Sequence, residues 1–395
     1  MLFRSRLGKL PLHAVLAPAI ATAKGGVILN EAQGYLMKIL EPILTHSNNG
    51  KKLFAPKGTI LKKGDRFQNP AFADLLEELI KQGSDFFYKG DGAKLILDTL
   101  APYGLLTPES LANYTVAERV PLKSEFNGKT VYTNPTPSVG GTLITFTLQL
   151  FEKSQTVSNA GIIDLVYAMQ VTTAARKNAS TNSNDSYLIS KILDKNTFKH
   201  YLDQYLELHS LNIDENDPPS RGATTQVSII DNAGNAASVT TTNGEGCGYL
   251  IPELGVMLNN MLGEEDLNPS GFHNFKCQQR LPTMISPTVV MGDNGPELVI
   301  GSGGSNRIRS AIIQVILNLM KGMDLDRAIN ASRIHLEGSV LHCEPDISFP
   351  DKIKLPDGVS IHQWDIQNLF FGGVNAVTWE EAVGDPRRGG TGVIV

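Results

Sequence analysis

The spacing of apolar residues changes from helical to strand-like at about residue 224. Before that point, four apolar residues occupy one face of a helix predicted near 72–82: Leu75, Leu76, Leu79 and Ile80. From Thr225 onward the period is two, since Val227 and Ile229 alternate with polar residues. A mostly helical region is therefore predicted to precede a region built from strands.

Capping and turn residues mark further elements of the first region. Thr107 and Pro108 supply an N-cap and a first helical position, which predicts a short helix through Tyr114. Two polar stretches, 178–187 and 209–221, are predicted to be connections. The other predictions are a helix at 93–100 closed by Gly104, a strand at 131–133, and an apolar helix at 143–151 after Gly140-Gly141.

The second region begins with a predicted hairpin. Its strands lie at 227–231 and 237–241, on either side of a turn rich in asparagine and glycine. The return strand ends at Thr242, so antiparallel pairing is expected to bring Thr242 beside Thr224.

A second predicted hairpin joins strands at 287–291 and 297–300. It leads into Gly303 and Gly304, after which apolar residues at helical spacing predict a helix at 308–320. Glycine N–H groups near a helix N-terminus are unblocked and lie in a partially positive field, which suits a developing oxyanion.

Thr224 is a candidate nucleophile because the chain before it is polar and rich in turn residues, while the chain after it is a strand. A threonine inside a chain has no base beside it, whereas a threonine at a terminus carries its own amine, with a pKa of about 8. Attack of Thr224 on the Ala223 carbonyl would turn the peptide bond into an ester, and hydrolysis would release that terminus. Taken alone, a Thr-Thr pair is weak evidence, since such pairs are common in strands.

Composition narrows the classes of function. The 395 residues are 41% hydrophobic and carry a net charge of -5, so the chain can bury a large core and has no basic footprint for nucleic acid. The 3 cysteines are too scattered for a disulfide framework, and no histidine pair suggests a metal site. Neither a metal nor a cofactor is expected, and small molecules or peptides are the expected substrates.

The N-terminus resembles a secretory signal, because Arg4 and Arg6 precede an apolar run from Leu10 to Ala21. Pro11 interrupts that run, and we expect mature structure there rather than a leader. No stretch approaches the ~20 apolar residues of a membrane span. Cytoplasmic, periplasmic and secreted locations all stay open.

Several motifs resemble the γ-glutamyltranspeptidase (glutathione hydrolase) family over nearly the whole chain. Those that resemble its small subunit are TT at 224–225, DNAGNA at 231–236, VTTT at 239–242, MLNN at 257–260, ISPT at 285–288 and GSGGS at 301–305. Those that resemble the later part of its large subunit are GKLPL at 8–12, LLTPESLANY at 105–114 and PSVGG at 137–141.

The resemblance implies an α+β fold of the N-terminal-nucleophile hydrolase type, an αββα sandwich with two antiparallel sheets between helical layers. It implies self-cleavage between Ala223 and Thr224, which divides the chain into a large-subunit-like region, 1–223, and a small-subunit-like catalytic region, 224–395. The implied activity is transfer of the γ-glutamyl group of amides such as glutathione to water, an amino acid or a peptide. A further oligomer stays open.

The resemblance also implies roles for particular residues. Thr224 is the expected nucleophile, Thr242 its hydrogen-bond partner, and Gly303 and Gly304 the oxyanion donors. The expected substrate-binding residues are Asn243, Glu264, Glu265, Asp266 and Thr283.

The chain departs from the family pattern at several of these positions. Met284 replaces one hydroxyl of a serine pair, Gln226 replaces a histidine, and Met261 or a shifted Glu264 stands where the family has glutamine or glutamate. The family's asparagine near Thr242 corresponds to Gly244 unless Asn243 takes its role by a shift of one residue.

The family's large subunit normally begins with a long segment that nothing here matches, so a truncated chain with a missing N-terminal portion or a separate partner is expected. Two alternatives remain. One is a related acylase of the glutaryl or cephalosporin type. The other is an inactive, unprocessed remnant that binds a partner.

Overall fold

The computed structural model describes residues 6–104, 106–180, 186–207, 223–268, 271–276, 278–349 and 355–395. The chain forms two units in space, one from 1–119 with 245–260 and the other from 120–244 with 261–395. The predicted division between 223 and 224 concerns the two chains expected after self-cleavage. It does not coincide with the boundary between these two units, and it stays a prediction. The predicted connection at 209–221 lies outside the described residues.

The first unit is mainly helical. Its helices are α1 Leu12–Gly25, α2 Glu31–Ile39, α3 Glu41–Leu44, α4 Asn48–Phe54, α5 Pro70–Gln82, α6 Asp85–Tyr88, α7 Asp91–Leu100 and α8 Pro108–Ala112. Two antiparallel strand pairs complete it: β1 Val27–Ile28 with β2 Arg66–Phe67, and β7 Leu250–Ile251 with β8 Val256–Met257. In the part of the chain that the structure describes, no helix has both the length and the apolar character needed to cross a membrane.

Side chains cap two helices of this unit, of which the Thr107 cap is the predicted one. Asn69 caps α5 by accepting a hydrogen bond from the Phe72 N–H, and the Thr107 hydroxyl caps α8 in the same way from Ser110. Helix α8 ends at Ala112, two residues before the predicted end. The predicted helix at 93–100 is α7, and Gly104 follows it in the left-handed conformation that favours glycine.

The second unit is built on an antiparallel sheet of six strands in the order β15-β14-β10-β9-β4-β3. Its strands are β3 Leu122–Phe126, β4 Lys129–Thr133, β9 Thr288–Gly292, β10 Gly295–Gly303, β14 Gly373–Val377 and β15 Ala382–Val383. The predicted second hairpin is confirmed as β9 and β10. A smaller sheet contains β11 Ile334–Glu337, β12 Val340–Cys343 and β13 Ser360–Gln363.

Helices cover one face of the six-stranded sheet. They include α9 Val139–Ser154, α10 Ile162–Ser180, α11 Lys195–Leu206, α12 Arg307–Met320 and α13 Leu325–Asn330, and α9 and α12 pack directly on the strands. The apolar core lies between them, with Leu143, Phe146, Ile300, Ile312 and Ile316 all at or near zero exposure.

Two predictions about these helices need correction. Gly140 and Gly141 lie inside the first turn of α9 rather than before it. A Cβ atom at Gly140 would come within 2.1 Å of the Ser286 hydroxyl oxygen, so this helical position requires glycine. The predicted connection at 178–187 is partly wrong, since α10 continues through Ser180. The C-terminal end of α10 is helical although it is polar, because α10 packs against α9 and against the 3-10 helix Ser186–Leu193.

The predicted first hairpin is confirmed as β5 Thr224–Ile230 and β6 Ala236–Thr242. Its register pairs Thr224 directly with Thr242 and Val227 with Val239. The Asp231 carboxylate shapes the turn by accepting hydrogen bonds from the Ala233 and Asn235 N–H groups, at 2.9 and 2.8 Å.

Strands β5 and β6 form a second layer over β10 and β14 of the six-stranded sheet. The two layers approach closely because β10 carries glycine where β5 crosses it. A Cβ atom at Gly303 would lie 2.3 Å from the Thr224 carbonyl oxygen, and one at Gly301 would lie 2.2 Å from the Gln226 amide oxygen. Strand β5 can therefore occupy this position only over side-chain-free backbone.

Polar contacts hold the two layers together. Ser228 and Ser238 donate to the Asn375 and Ile300 carbonyl oxygens at 2.8 and 3.1 Å, and the Asn375 amide donates to the Gln226 carbonyl oxygen at 2.9 Å. These bonds satisfy partly buried polar groups that would lack partners at a purely apolar interface.

Four buried charges support β14 from the side. Asp385 forms ion pairs with Arg333 at 2.7 Å and Arg387 at 3.3 Å, and Arg387 also pairs with Glu344. Burial alone would raise the pKa of the Asp385 carboxyl, but the two guanidinium groups hold it below its usual value. Asp385 also accepts a hydrogen bond from the Val374 N–H at 2.8 Å, which fixes the strand beside β10.

Replacing Gly303 with alanine is expected to push β5 off β10, because the new Cβ atom would overlap the Thr224 carbonyl oxygen. We expect the free energy of unfolding to fall by about 2 kcal/mol or more, as in overpacked cores. Denaturant titration measures this. Gly161→Ala is the matched control, since its Cβ atom would meet only Asp164 Oδ2 at an ordinary 3.5 Å. Equal stability of the two variants would contradict the steric account.

Candidate functional site

Thr224 stands at the start of β5 with its side chain directed toward β6. Its hydroxyl donates to the Thr242 hydroxyl oxygen at 3.1 Å, and that oxygen also accepts from the Gly244 N–H at 3.1 Å. Thr224 is 9% exposed. The arrangement fixes the rotamer of the candidate nucleophile and polarises its O–H bond toward Thr242.

The predicted cleavage site continues the same hairpin. The Ala223 N–H donates to the Gly244 carbonyl oxygen at 2.8 Å, while Thr224 is paired with Thr242. Hydrogen bonds therefore hold the chain on both sides of the Ala223–Thr224 bond. The neighbouring Thr225 side chain points to the opposite, exposed face, as expected for a strand.

A small pocket opens beside Thr224 within the second unit. Its polar lining residues are Thr224, Thr242, Glu264, Asp266, Thr283 and Ser305, and its apolar lining residues are Met261, Leu267, Met284, Ile285 and Ile308. The pocket thus joins the candidate nucleophile to two carboxylates and an apolar wall.

Hydrogen bonds fix the position of Asp266, one of the two carboxylates. Its Oδ2 accepts a hydrogen bond from the Ser305 hydroxyl at 2.8 Å, and its main-chain oxygen accepts one from Arg176. Ser305 adopts a left-handed φ of 52°, directly after Gly304. The turn that follows β10 therefore determines where the Asp266 carboxylate points.

The sequence profile of the family described as Gamma-glutamyltranspeptidase matches residues 2–395, nearly the whole chain. The chain belongs to the γ-glutamyltranspeptidase family. The motif resemblance is thereby confirmed along its full extent.

Individual relatives agree with this assignment. The chain is 31% identical over 383 residues to a glutathione hydrolase proenzyme of Escherichia coli, covering 89% of this chain but 65% of that protein. It is 28% identical to a glutathione hydrolase proenzyme of Pseudomonas aeruginosa, covering 99% of this chain and 75% of that protein. The chain therefore spans about two thirds to three quarters of the length of these relatives.

The fold also matches a solved structure. A cephalosporin acylase from Bacillus halodurans superposes with a TM-score of 0.80 at 21% identity, covering 98% of this chain and 74% of that one. At this identity the likeness shows the fold alone. The predicted α+β class, with stacked antiparallel sheets and helices, is confirmed.

Five of the residues that family motifs predict line the pocket: Thr224, Thr242, Glu264, Asp266 and Thr283. The structure does not bring the other predicted residues into its lining. Glu265 is exposed in a short 3-10 helix, and Asn243 is half-buried after β6. The binding roles of all these residues stay predictions.

Gly303 and Gly304 lie behind Thr224 rather than in the pocket lining. Gly303 is the last residue of β10 and Gly304 follows it, so both lie shortly before α12, which begins at Arg307. Gly304 has a φ of 124°, a conformation available to glycine. Their role as oxyanion donors stays a prediction.

Sequence reasoning missed Arg388, which packs against this glycine pair. Its Nη1 and Nη2 atoms would lie 3.4 Å from Cβ atoms at Gly303 and Gly304, and Nη2 donates to the Leu369 carbonyl oxygen at 3.2 Å. Burial, and next the nearby Arg307, lower the pKa of Arg388 to about 10, so it stays cationic at neutral pH. No motif marked it, because its position depends on the fold of the C-terminal turn.

Gln226, which replaces the family histidine, has a structural position between the layers. Its amide nitrogen donates to the Ser228 and Ser238 hydroxyls, each at 2.9 Å, and its amide oxygen accepts from Thr240. Gln226 does not line the pocket. In the described ranges, no group of three or more histidine, cysteine or acidic side chains is placed to hold a metal ion.

Replacing Thr242 with valine keeps the shape of the side chain but removes the oxygen that accepts the Thr224 hydrogen bond. We expect self-cleavage to slow about five- to tenfold, since one neutral hydrogen bond is worth about 1 kcal/mol. The rate is read from the appearance of two chains on a denaturing gel. Thr242→Ser should retain most of the rate, and Thr241→Val changes only the opposite, exposed face of β6. An unchanged rate in Thr242→Val would refute the role of this contact.

Proposed function

We propose that the protein is a self-processing γ-glutamyltransferase and glutathione hydrolase whose nucleophile is Thr224. The observation that carries the proposal is the Thr224 hydroxyl, held by Thr242 at the start of a strand and facing a pocket with two carboxylates. Membership of the γ-glutamyltranspeptidase family supports the same reaction class.

The first step is an acyl shift within the chain. The Thr224 oxygen forms a bond to the Ala223 carbonyl carbon, the carbon–nitrogen bond breaks, and the hydroxyl proton passes to the departing nitrogen. Water then hydrolyses the resulting ester. The products are a carboxylate at Ala223 and a free amine at Thr224, which serves as the general base in later cycles.

The second reaction uses that amine. It accepts the Thr224 hydroxyl proton while the oxygen bonds to the amide carbonyl carbon of a γ-glutamyl peptide such as glutathione. The proton then passes to the leaving amine as the carbon–nitrogen bond breaks. Water hydrolyses the ester, or the amine of an amino acid or peptide takes the γ-glutamyl group and forms a new amide.

The negative charge of each tetrahedral intermediate would be stabilised by Gly303 and Gly304 N–H groups. A preorganised donor of this kind typically contributes about 3 kcal/mol. Arg388 adds a buried positive charge behind the same glycines. The absence of side chains at Gly303 and Gly304 thus allows close strand packing and also leaves the main-chain donors accessible.

The pocket favours this reaction over that of a glutaryl acylase. Glu264 and Asp266 attract the α-amine of a γ-glutamyl group, whereas a glutaryl group carries a carboxylate and no amine. The acylase alternative rests on a fold likeness that does not report the acyl group.

Thr224→Ala should abolish both self-cleavage and turnover, because it removes the attacking oxygen. We expect hydrolysis of γ-glutamyl-p-nitroanilide to fall by at least about 1000-fold. Thr224→Ser keeps a hydroxyl and should retain part of both reactions, while Thr225→Ala alters an exposed neighbour and should change neither. Turnover by Thr224→Ala would contradict the proposal. A wild-type chain that stays intact and shows no turnover would also contradict it and would favour the inactive remnant.

A further inference from the structure

Gln226 is buried two residues after the candidate nucleophile, on the face of β5 that meets β10. It is 3% exposed, and a Cβ atom at Gly301 would lie 2.2 Å from its amide oxygen. Thr224 meets Gly303 in the same way through its carbonyl oxygen. Strand β5 therefore touches β10 at two points, two residues apart on each strand, and these points fix the line along which the strands cross.

The hydrogen bonds around the Gln226 side chain have fixed directions. The Ser228 and Ser238 hydroxyls donate to main-chain carbonyl oxygens of β14 and β10, so their oxygens can only accept from the Gln226 amide nitrogen. On the other side, the Thr240 hydroxyl donates to the amide oxygen. An amide supplies both the donor and the acceptor, whereas a carboxylate supplies no donor.

The hydrogen-bond partners of this side chain are all neutral, since they are three hydroxyls and the Val227 carbonyl oxygen. The described strands β5, β6 and β14 carry no titratable side chain, and β10 carries only Glu297, which is ion-paired near the start of that strand. Arg388 packs on β10 at Gly303. A carboxylate at position 226 would be buried, and the charge of Arg388, two residues further along β10, would offset that cost only in part.

Cleavage before Thr224 would remove one of the contacts that hold the nucleophile. In the intact chain, the Ala223 N–H donates to the Gly244 carbonyl oxygen. Once the bond is cut, this contact no longer restrains Thr224, and β5 begins at the nucleophile itself. The next buried side chain on the new strand end is Gln226, because Thr225 faces the exposed side.

We infer that Gln226 is a positioning residue for the nucleophile: its neutral amide holds β5 on β6 and β10 and keeps Thr224 in place after the chain before it is cut. The inference rests on the proposed function and adds a requirement on the charge at position 226. That position needs a donor and an acceptor without a charge, so self-cleavage and turnover both depend on it.

Gln226→Glu tests the charge requirement, and Val227→Glu is the matched control, because Val227 is 48% exposed on the other face of β5. A protonated carboxyl can donate to one serine and accept from Thr240, whereas a carboxylate can only accept. Since burial raises the pKa of a carboxyl, Gln226→Glu should approach the wild-type rate of self-cleavage at about pH 5 and fall at least about tenfold below it at about pH 8. Val227→Glu should follow the wild type at both values. A constant ratio of Gln226→Glu to wild type across this range would overturn the inference.

A pH shift after cleavage separates the position of the new terminus from the cleavage step. Gln226→Glu is cleaved at about pH 5, moved to about pH 8 and assayed with γ-glutamyl-p-nitroanilide, while circular dichroism monitors folding. We expect kcat relative to wild type to fall at least about tenfold at the higher pH and to recover on return. An added aminopeptidase should then remove Thr224 at least about tenfold faster from the folded variant than from the wild type. Equal removal from both would contradict the positioning role.

The stability of the intact chain distinguishes failure of the inference from failure of the proposed function. If the wild type is never cleaved, the proposed function fails, and denaturant titration of Gln226→Glu against Val227→Glu still tests the neutral contact. A carboxyl whose pKa is raised in the folded state binds more protons there than in the unfolded state, so stability falls as the pH rises. The midpoint of Gln226→Glu should therefore fall relative to the control between about pH 5 and about pH 8. An unchanged difference between the two midpoints would overturn the inference.

Discussion

The close approach of β5 to the glycine-bearing strand β10 is the constraint on which the site depends. At Gly303 the Thr224 carbonyl oxygen occupies the space of a side chain, and at Gly301 the Gln226 amide does so. An ordinary face-to-face sheet pair is separated by about 10 Å of interdigitated side chains. Here bare backbone and hydrogen-bonded serines replace that filling, so the position of the nucleophile is set by backbone contact.

The surroundings of β10 keep this surface rigid. Asp385 bonds the Val374 N–H, and Val374 pairs with Ser302, the residue between the two glycines. The ion pairs of Asp385 and Glu344 are fully buried, and breaking a buried pair typically costs about 3–5 kcal/mol. Below the pKa of Asp385, which its arginine partners depress, protonation would remove this support. Stability should therefore be lost only as the pH falls into the acid range.

Much of the fold follows from local patterns in the sequence. Alternation at 225–230 and 237–241, with a turn at Asp231, was enough to pair Thr224 with Thr242. Amphipathic spacing likewise identified α5 and α12. Predictions failed where tertiary structure overrides propensity, as at Gly140, which lies inside α9 although glycine is a poor helix former. The close approach of Ser286 leaves no room for a side chain there.

The site was only partly predictable for the same reason. The resemblance to the family predicted Thr224, Thr242 and Asp266 as site residues, and all three line the pocket. Arg388 gave no such signal, since its position comes from packing of the C-terminal segment on the glycine pair. Ser305 belongs to the GSGGS motif, but its contact with Asp266 depends on a left-handed turn that the motif did not reveal.

The central claim is that the folded chain places Thr224 to cut its own backbone. Intact-mass spectrometry of the purified wild-type protein during incubation tests it most directly. The account predicts two fragments whose masses add up to the full chain plus one water and that meet between Ala223 and Thr224. A folded chain that keeps a single full-length mass, or fragments that meet at another bond, would contradict it.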